Sequence, residues 1–355
     1  MQAGDPPLAR IHWAVCSRFL KNELTETRLK NPPLVAIVLA AASLLAAAPV
    51  HAQKLALKLG HVGEPGSLYE STSKIFAKRA NELLGDKAEV QVFGSSQLGN
   101  DSELLQKLKL GQITFSMPSS IMSSVSDEFG VFEMPYIVQS RDHAKAIAAE
   151  LGKTVFDKAA AAKGYKILAW YENGFRHITN NSRPVNVPAD LKGIKLRTPK
   201  GEWRLKMFQL YGANPTPMAY SEVFTALKTG VIDGQENPYA QIWSAKFQEV
   251  QKYLSITGHV YTPAYLLTSS RSFGALPPDV QKALTQAATE TQSTAYEMAA
   301  RLDSELLDKL RSSGVTVNEA DKQAFVAASK PVYEEFAKTV AGGADLISQV
   351  QALAR

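Results

Sequence analysis

Cysteine is nearly missing from this chain of 355 residues: there is one, Cys16, near the N-terminus. A disulfide framework and a cysteine metal cage are thereby excluded. Long apolar runs are scarce too. The one that exists, Leu34–Ala48, has about fifteen residues, short of the roughly 20 that a membrane-spanning helix needs. No stretch of Lys and Arg with interleaved aromatics occurs, and a net charge of +5 argues against nucleic acid or another polyanion as partner. Familiar catalytic signatures are also lacking. Gly94-Ser95-Ser96-Gln97-Leu98 misses the last glycine of a nucleophile elbow, and there is no H-E-x-x-H, G-x-G-x-x-G or P-loop. His61, His143, His177 and His259 stand far apart, so nothing calls for a metal or another cofactor.

What is present begins with an export pattern. Arg28 and Lys30 precede the apolar run, and Val50-His51-Ala52 gives the small-x-small ending of a secretory signal, so residues 1–52 read as a leader cleaved near Ala52–Gln53. Glu23 and Glu26 lie where a signal should be short and basic, which points to a translation start downstream of Met1. The leader takes Cys16 with it, and the remaining chain is expected to be soluble beyond the inner membrane, in the periplasm.

Beyond the leader, strand and helix patterns alternate. KLALKLG (54–60) alternates apolar and polar residues, and LYESTSKIFAKRANELL (68–84) repeats apolar residues at helical spacing. AEVQVF (88–93) predicts a second strand, a helix opens at Asn100 or Asp101 and closes at Gly111, and ITFSM (113–117) follows as a third strand. This βαβαβ run predicts a mostly parallel sheet flanked by helices. YKILAW (165–170), KGIKLRTP (192–199) and YLLTSS after Pro263 predict further strands; SEVFTALKTG, 279–313 and 321–339 predict helices. Without a linker between halves, two lobes sharing crossing strands fit the pattern.

One constellation imitates chemistry. Ser71-Thr72-Ser73-Lys74, Ser126-Asp127-Glu128 and Lys228-Thr229-Gly230 follow the order of the acyl-transfer motifs of class A β-lactamases, with Ser71 as nucleophile and Lys74 as activator. Glu128 stands where those enzymes have an amide, however, and Lys228-Thr229-Gly230 closes a helix instead of edging a strand. Coincidence is the better reading, and the chain is expected not to be an enzyme.

Arginine at strand ends is the stronger signal. Arg197 terminates GIKLR before Thr198-Pro199, and Arg176 follows YKILAWYENGF. The C-terminal end of a sheet strand faces a ligand crevice, and a guanidinium grips a carboxylate with two parallel hydrogen bonds. An isolated arginine is usually in a surface salt bridge; position after a buried strand favours function.

FGSSQLGND (93–101), EMPYI (133–137), NGFRHITN (173–180), LKGIKLRTP (191–199), GANPTPMAYSEVFTALKTGVIDGQENP (212–238) and KFQEVQKYL (246–254) together closely resemble the solute-binding subunits of TRAP transporters, the DctP type. The resemblance spans essentially all of 53–355. It implies a two-lobed, type II-like periplasmic-binding fold with mixed sheets and long C-terminal helices spanning both lobes. Lobe I would comprise 53–174 and 263–302, and lobe II 175–262 and 303–355. It also implies a monomer that closes on an organic acid and delivers it to the TRAP membrane subunits.

Carried over by motif, Arg197 pairs with the ligand carboxylate, Asn237 donates to the same group, Arg176 is a second arginine and Tyr220 a pocket-wall aromatic. The bland alternatives are a turn-capping Asn237 before Pro238 and a Tyr220 that staples a helix capped by Ser221. Met117 fills the position where sialate-binding members carry glutamate, which disfavours a sialic acid. Trp203 and Arg204 lie where branches vary; Arg204 either grips a second carboxylate or is a solvated helix residue. His61 and Glu64 are candidates for hydroxyl contacts. Asp233 and Glu236 are assigned to the bend of GVIDGQENP, read as a tight connection that aims Asn237 into the cleft beside Arg197. A C4-dicarboxylate is the first expectation for the ligand, a sugar acid or an aromatic or keto acid the alternative.

Overall fold

The computed structural model describes residues 54–354; the expected leader and its cleavage point lie outside the described residues. Five strands make a first sheet in the order β2–β1–β3–β10–β4: β1 (Leu55–Gly60), β2 (Ala88–Phe93), β3 (Phe115–Ser116), β4 (Tyr165–Phe175) and β10 (Tyr261–Ser269). β1 runs parallel to β2 and β3, as the βαβ pattern predicts. β10 is antiparallel to both its neighbours, so the sheet is mixed and not mostly parallel. It enters from the far end of the chain, where no local pattern announces its direction.

The helix Leu68–Leu84 between β1 and β2 starts where Ser67 accepts a hydrogen bond from the Glu70 amide, and it buries Phe76, Ala80 and Leu84 in the same cluster as Leu57 and Leu59 of β1. The helix Asp101–Lys109 opens on a capping box. Asn100 Oδ1 accepts from the Glu103 amide at 3.2 Å, and Glu103 Oε2 accepts from the Asn100 amide at 2.9 Å.

The second sheet has the order β11–β9–β5–β8–β6–β7: β5 (His177–Asn180), β6 (Lys195–Thr198), β7 (Asn214–Pro217), β8 (Gly234–Asn237), β9 (Tyr253–Ile256) and β11 (Thr316–Glu319). The chain passes between the sheets at Arg176, between β4 and β5, and again at residues 257–260, between β9 and β10. The helix Pro278–Ser312 packs against Leu68–Leu84 and β4 and also against the helix Tyr239–Ser244 that follows β8. The fold is thus the expected two-lobed α/β type, with mixed sheets flanked by helices and a long helix common to both. No helix among the described residues is long and apolar enough to cross a membrane.

Three further readings from sequence need correction. GVIDGQENP is a turn only over its first half. Gly230 takes φ +73°, but Gly234–Asn237 is an inner strand flanked by β5 and β6. Gly234 serves close approach there, since a Cβ would lie 2.4 Å from the Thr179 carbonyl. The predicted helix 221–230 shrinks to a 3₁₀ turn, Tyr220–Glu222, and one α segment, Val223–Lys228, and Ser221 caps neither. The predicted helix 321–339 is two, Lys322–Ala328 and Lys330–Thr339, because Pro331 cannot supply the amide that would join them.

Replacing Asn100 with alanine removes one arm of the capping box and should cost about 1 kcal/mol. Urea denaturation should show a lower midpoint with an unchanged slope.

Candidate functional site

Both sheets send residues to one small cavity of about 380 Å³, its mouth included. Arg197 reaches it from β6, held between β7 and β8 in register with Thr216 and Gln235. Tyr220, Asn237 and Arg176 line the same space, so four of the residues singled out in the sequence converge. Their environments differ sharply.

Arg176 is neutralised. Its Nε and Nη2 donate to Glu236 Oε2 and Oε1 at 2.5 and 2.9 Å, and Nη2 also reaches Asn237 Oδ1 at 3.1 Å. Arg204 meets the same glutamate through Nη1 at 2.6 Å and Glu133 through Nε at 2.6 Å. His259 completes the cluster, with Nε2 3.1 Å from Glu236 Oε2 and Nδ1 2.7 Å from Thr257 Oγ1. Burial pushes His259 down to about 4 against the pull of Glu236, so the imidazole is neutral at pH 7. A neutral ring donates from Nε2 to the carboxylate and accepts the Thr257 hydroxyl at Nδ1. Burial alone would raise the Glu236 pKa; Arg176 and Arg204 outweigh it and hold the carboxyl well below the usual range. Two buried arginines and two buried glutamates balance.

Arg197 is left out of that balance. It is 3% exposed, and Nε and Nη2 donate to the Met218 carbonyl at 3.0 and 2.6 Å. Among the described residues no carboxylate forms an ion pair with it, and Nη1 has no hydrogen-bond partner. Burial, opposed by Glu236 and reinforced by Arg176, lowers its pKa to about 10; the group stays a cation at neutral pH. A buried guanidinium without a counter-ion is costly, and an anion entering the cavity would relieve the cost.

Asn237 spends one amide hydrogen on Gln235 Oε1 at 2.5 Å and keeps the other. Tyr220 is fixed by its hydroxyl, which donates to the Gln241 carbonyl at 3.1 Å, and by its ring against Phe247. The cavity wall is completed by residues the sequence reading passed over: Tyr69, Asp101, Ser119, Ser120, Asn173 and Gln241 among them. Asp101 and Asn173 lie inside motifs that were read for their neighbours, and Asn173 could have been noticed as an amide in a buried strand.

The other expected contacts fall elsewhere. Trp203 stacks edge-to-face on Phe336 at 4.9 Å. Met117 is buried in the core beside Ser73. His61, just past the end of β1, pairs with Glu70 at 3.0 Å, and Glu64 is half-buried outside the cavity lining. Arg204 is neither solvated nor open to a ligand, being fully buried on Glu133 and Glu236. Glu236 does not serve a bend; it lies in β8 and pairs with Arg176 and Arg204. Asp233 does serve one, accepting from the Lys195 amide at 2.8 Å. The acyl-transfer set is scattered: Lys74 pairs with Glu70, Ser126 with Glu128, and Lys228 ends a helix.

The family described as "Bacterial extracellular solute-binding protein, family 7" (DctP) matches residues 59–339. This chain belongs to that family. As a family member it is 39% identical over 267 residues to a "Solute-binding protein" of Verminephrobacter eiseniae, covering 74% of this chain and 79% of the relative. Over 284 residues it is 36% identical to the 2,3-diketo-L-gulonate-binding periplasmic protein YiaO of Escherichia coli, covering 78% and 86%. A TRAP periplasmic solute-binding protein from Polaromonas, solved bound to D-erythronate, superposes with a TM-score of 0.81 at 33% identity, covering 85% of this chain and all of that one. The chain is therefore a TRAP-type solute-binding protein, and the acyl-transfer reading has no support.

Glu236→Gln strips the carboxylate from two buried guanidinia at once and should destabilise the protein by about 3–5 kcal/mol, read as a lowered melting temperature. Burial, moderated by Arg197, pushes Asp101 up to about 6. Its contribution to stability is complete below the unfolded value near 4 and is lost as pH rises through about 6. Asp101→Asn should therefore gain in melting temperature over the parent between pH 4 and 7, with no further gain above.

Proposed function

We propose that this protein captures a small organic acid with a single carboxylate, held by Arg197, in a cleft that closes as the charge is neutralised, and presents it to the membrane subunits of a TRAP transporter. The observation that carries the reading is the buried Arg197 guanidinium, which has no counter-ion among the described residues. The lobes that close would be 53–174 with 263–302 and 175–262 with 303–355, hinged where the chain crosses between sheets at Arg176 and at 257–260. Export by the leader, a periplasmic setting, a monomeric state and the absence of catalysis go with this reading.

Charge counting orders the ligand classes. Arg176 is already matched by Glu236, so one cation remains for one carboxylate. A second carboxylate would meet Asp101 and the neutral groups of Ser119, Ser120, Asn173 and Gln241. A sugar acid or a related monocarboxylate therefore fits better than the C4-dicarboxylate expected first. The ligands named for YiaO and for the Polaromonas structure, each with one carboxylate, support that order.

Binding works through exchange of partners. In the open cleft water solvates Arg197; on closure the ligand carboxylate replaces it, and the closed form is favoured only when that charge is matched. A micromolar ligand needs about 8 kcal/mol in total, within reach of two charge-assisted bonds plus burial of the carbon skeleton.

Arg197→Ala should abolish binding of every acid that the parent protein binds in titration calorimetry, while the ligand-free variant melts no earlier than the parent. Retained affinity would overturn the proposal.

A further inference from the structure

The neutral wall of the cavity contains a hydrogen-bond relay whose direction is fixed. It starts at the Pro263 carbonyl on β10, which can only accept. The Ser119 hydroxyl lies 2.7 Å away and must spend its hydrogen there. Ser119 Oγ is then an acceptor for Asn173 Nδ2 at 3.2 Å, and the second amide hydrogen of Asn173 goes to Thr262 Oγ1 at 3.0 Å. Both hydrogens being committed, Asn173 presents Oδ1 to its remaining neighbour and accepts from Gln241 Nε2 at 3.2 Å.

Gln241 is thereby oriented, and its carbonyl oxygen is the free end of the relay. The residue is 1% exposed, it lines the same cavity as Arg197, and Oε1 has no hydrogen-bond partner among the described residues. The backbone carbonyl of Gln241 is held separately by the Tyr220 hydroxyl at 3.1 Å, so the residue is anchored from two sides. Nearby, Ser120 Oγ is also buried without a partner. A hydroxyl can adapt as donor or acceptor, but an amide oxygen cannot.

We propose that Gln241, oriented by the Pro263–Ser119–Asn173 relay, is a specificity-determining residue that requires a hydroxyl donor on the bound acid. This rests on the reading that Arg197 takes the ligand carboxylate. A ketone, an ether or a second carboxylate offers only acceptors and leaves Gln241 Oε1 unmatched in the closed cleft, whereas an aldonate or other hydroxy acid satisfies it. An ammonium group would donate as well, yet burying it costs far more than burying a hydroxyl. The chemistry selected is a hydroxycarboxylate, and a keto acid or an unsubstituted acid is rejected because a buried acceptor without a donor is destabilising.

Calorimetry with four-carbon acids tests this. D-erythronate should bind on the order of 100-fold more tightly than butyrate or 2-oxobutyrate. In Gln241→Met, similar in volume but without the acceptor, the preference for D-erythronate over butyrate should fall to within a few-fold. Equal affinity of the parent for all three acids would overturn the inference while leaving the Arg197 reading intact. So would a full hydroxyl preference in Gln241→Met. Should that variant not fold, the comparison of acids on the parent protein still decides. If the parent binds none of the three, the carboxylate reading falls and this inference with it.

Discussion

An arginine taken out of water must find a negative charge, and this structure is organised around who supplies it. Three guanidinia are buried between the two sheets. Arg176 and Arg204 share Glu236, and Arg204 draws on Glu133 as well. Arg197 is given only the Met218 carbonyl, which orients the group without cancelling its charge. Permanent ion pairs hold the frame; the unmatched guanidinium is the one proposed above for the solute. Breaking a buried pair is far more damaging than never having made it, so the two roles cannot be exchanged by small changes.

The placement of these charges also couples the site to the chain path. Arg176 sits where the chain leaves the first sheet for the second, and its amide donates to the Val260 carbonyl of the return crossing at 2.9 Å. His259, on that return segment, is the third partner of the Glu236 carboxylate. The two crossing segments, hinges of the proposed closure, are therefore tied to the wall of the cavity. Ser119, Asn173 and Gln241 extend the same principle to neutral groups, linking β10, β4 and the helix after β8 through bonds whose polarity is set by backbone.

Much of this was legible in the sequence where local rules apply. The helix 68–84, the strands β1 and β2 and the Asn100 cap follow from periodicity and capping chemistry. The antiparallel entry of β10 was not legible, because strand direction in a sheet is decided by contacts distant in sequence. GQEN was misjudged for a different reason. Polar residues beside glycine and proline read as a turn, yet here Gln235, Glu236 and Asn237 are buried in an inner strand because each polar group finds a partner in another element or in its own neighbour. The convergence of Arg197, Asn237, Tyr220 and Arg176 was expected from motif resemblance and not from spacing. Trp203 and Met117 came from the family resemblance, at positions where its branches differ, and packing places both in the core. The relay through Asn173 left only a faint trace, one amide in an apolar strand.

The central claim is that the counter-ion missing from Arg197 is the carboxylate of the solute. A crystal structure of the protein with a bound acid tests it most directly. The account predicts both carboxylate oxygens within hydrogen-bond distance of the Arg197 guanidinium, with the pairs of Glu236 to Arg176 and Arg204 unchanged. An acid seated elsewhere, or one that displaces Glu236 from Arg176 while Arg197 stays unmatched, would contradict it.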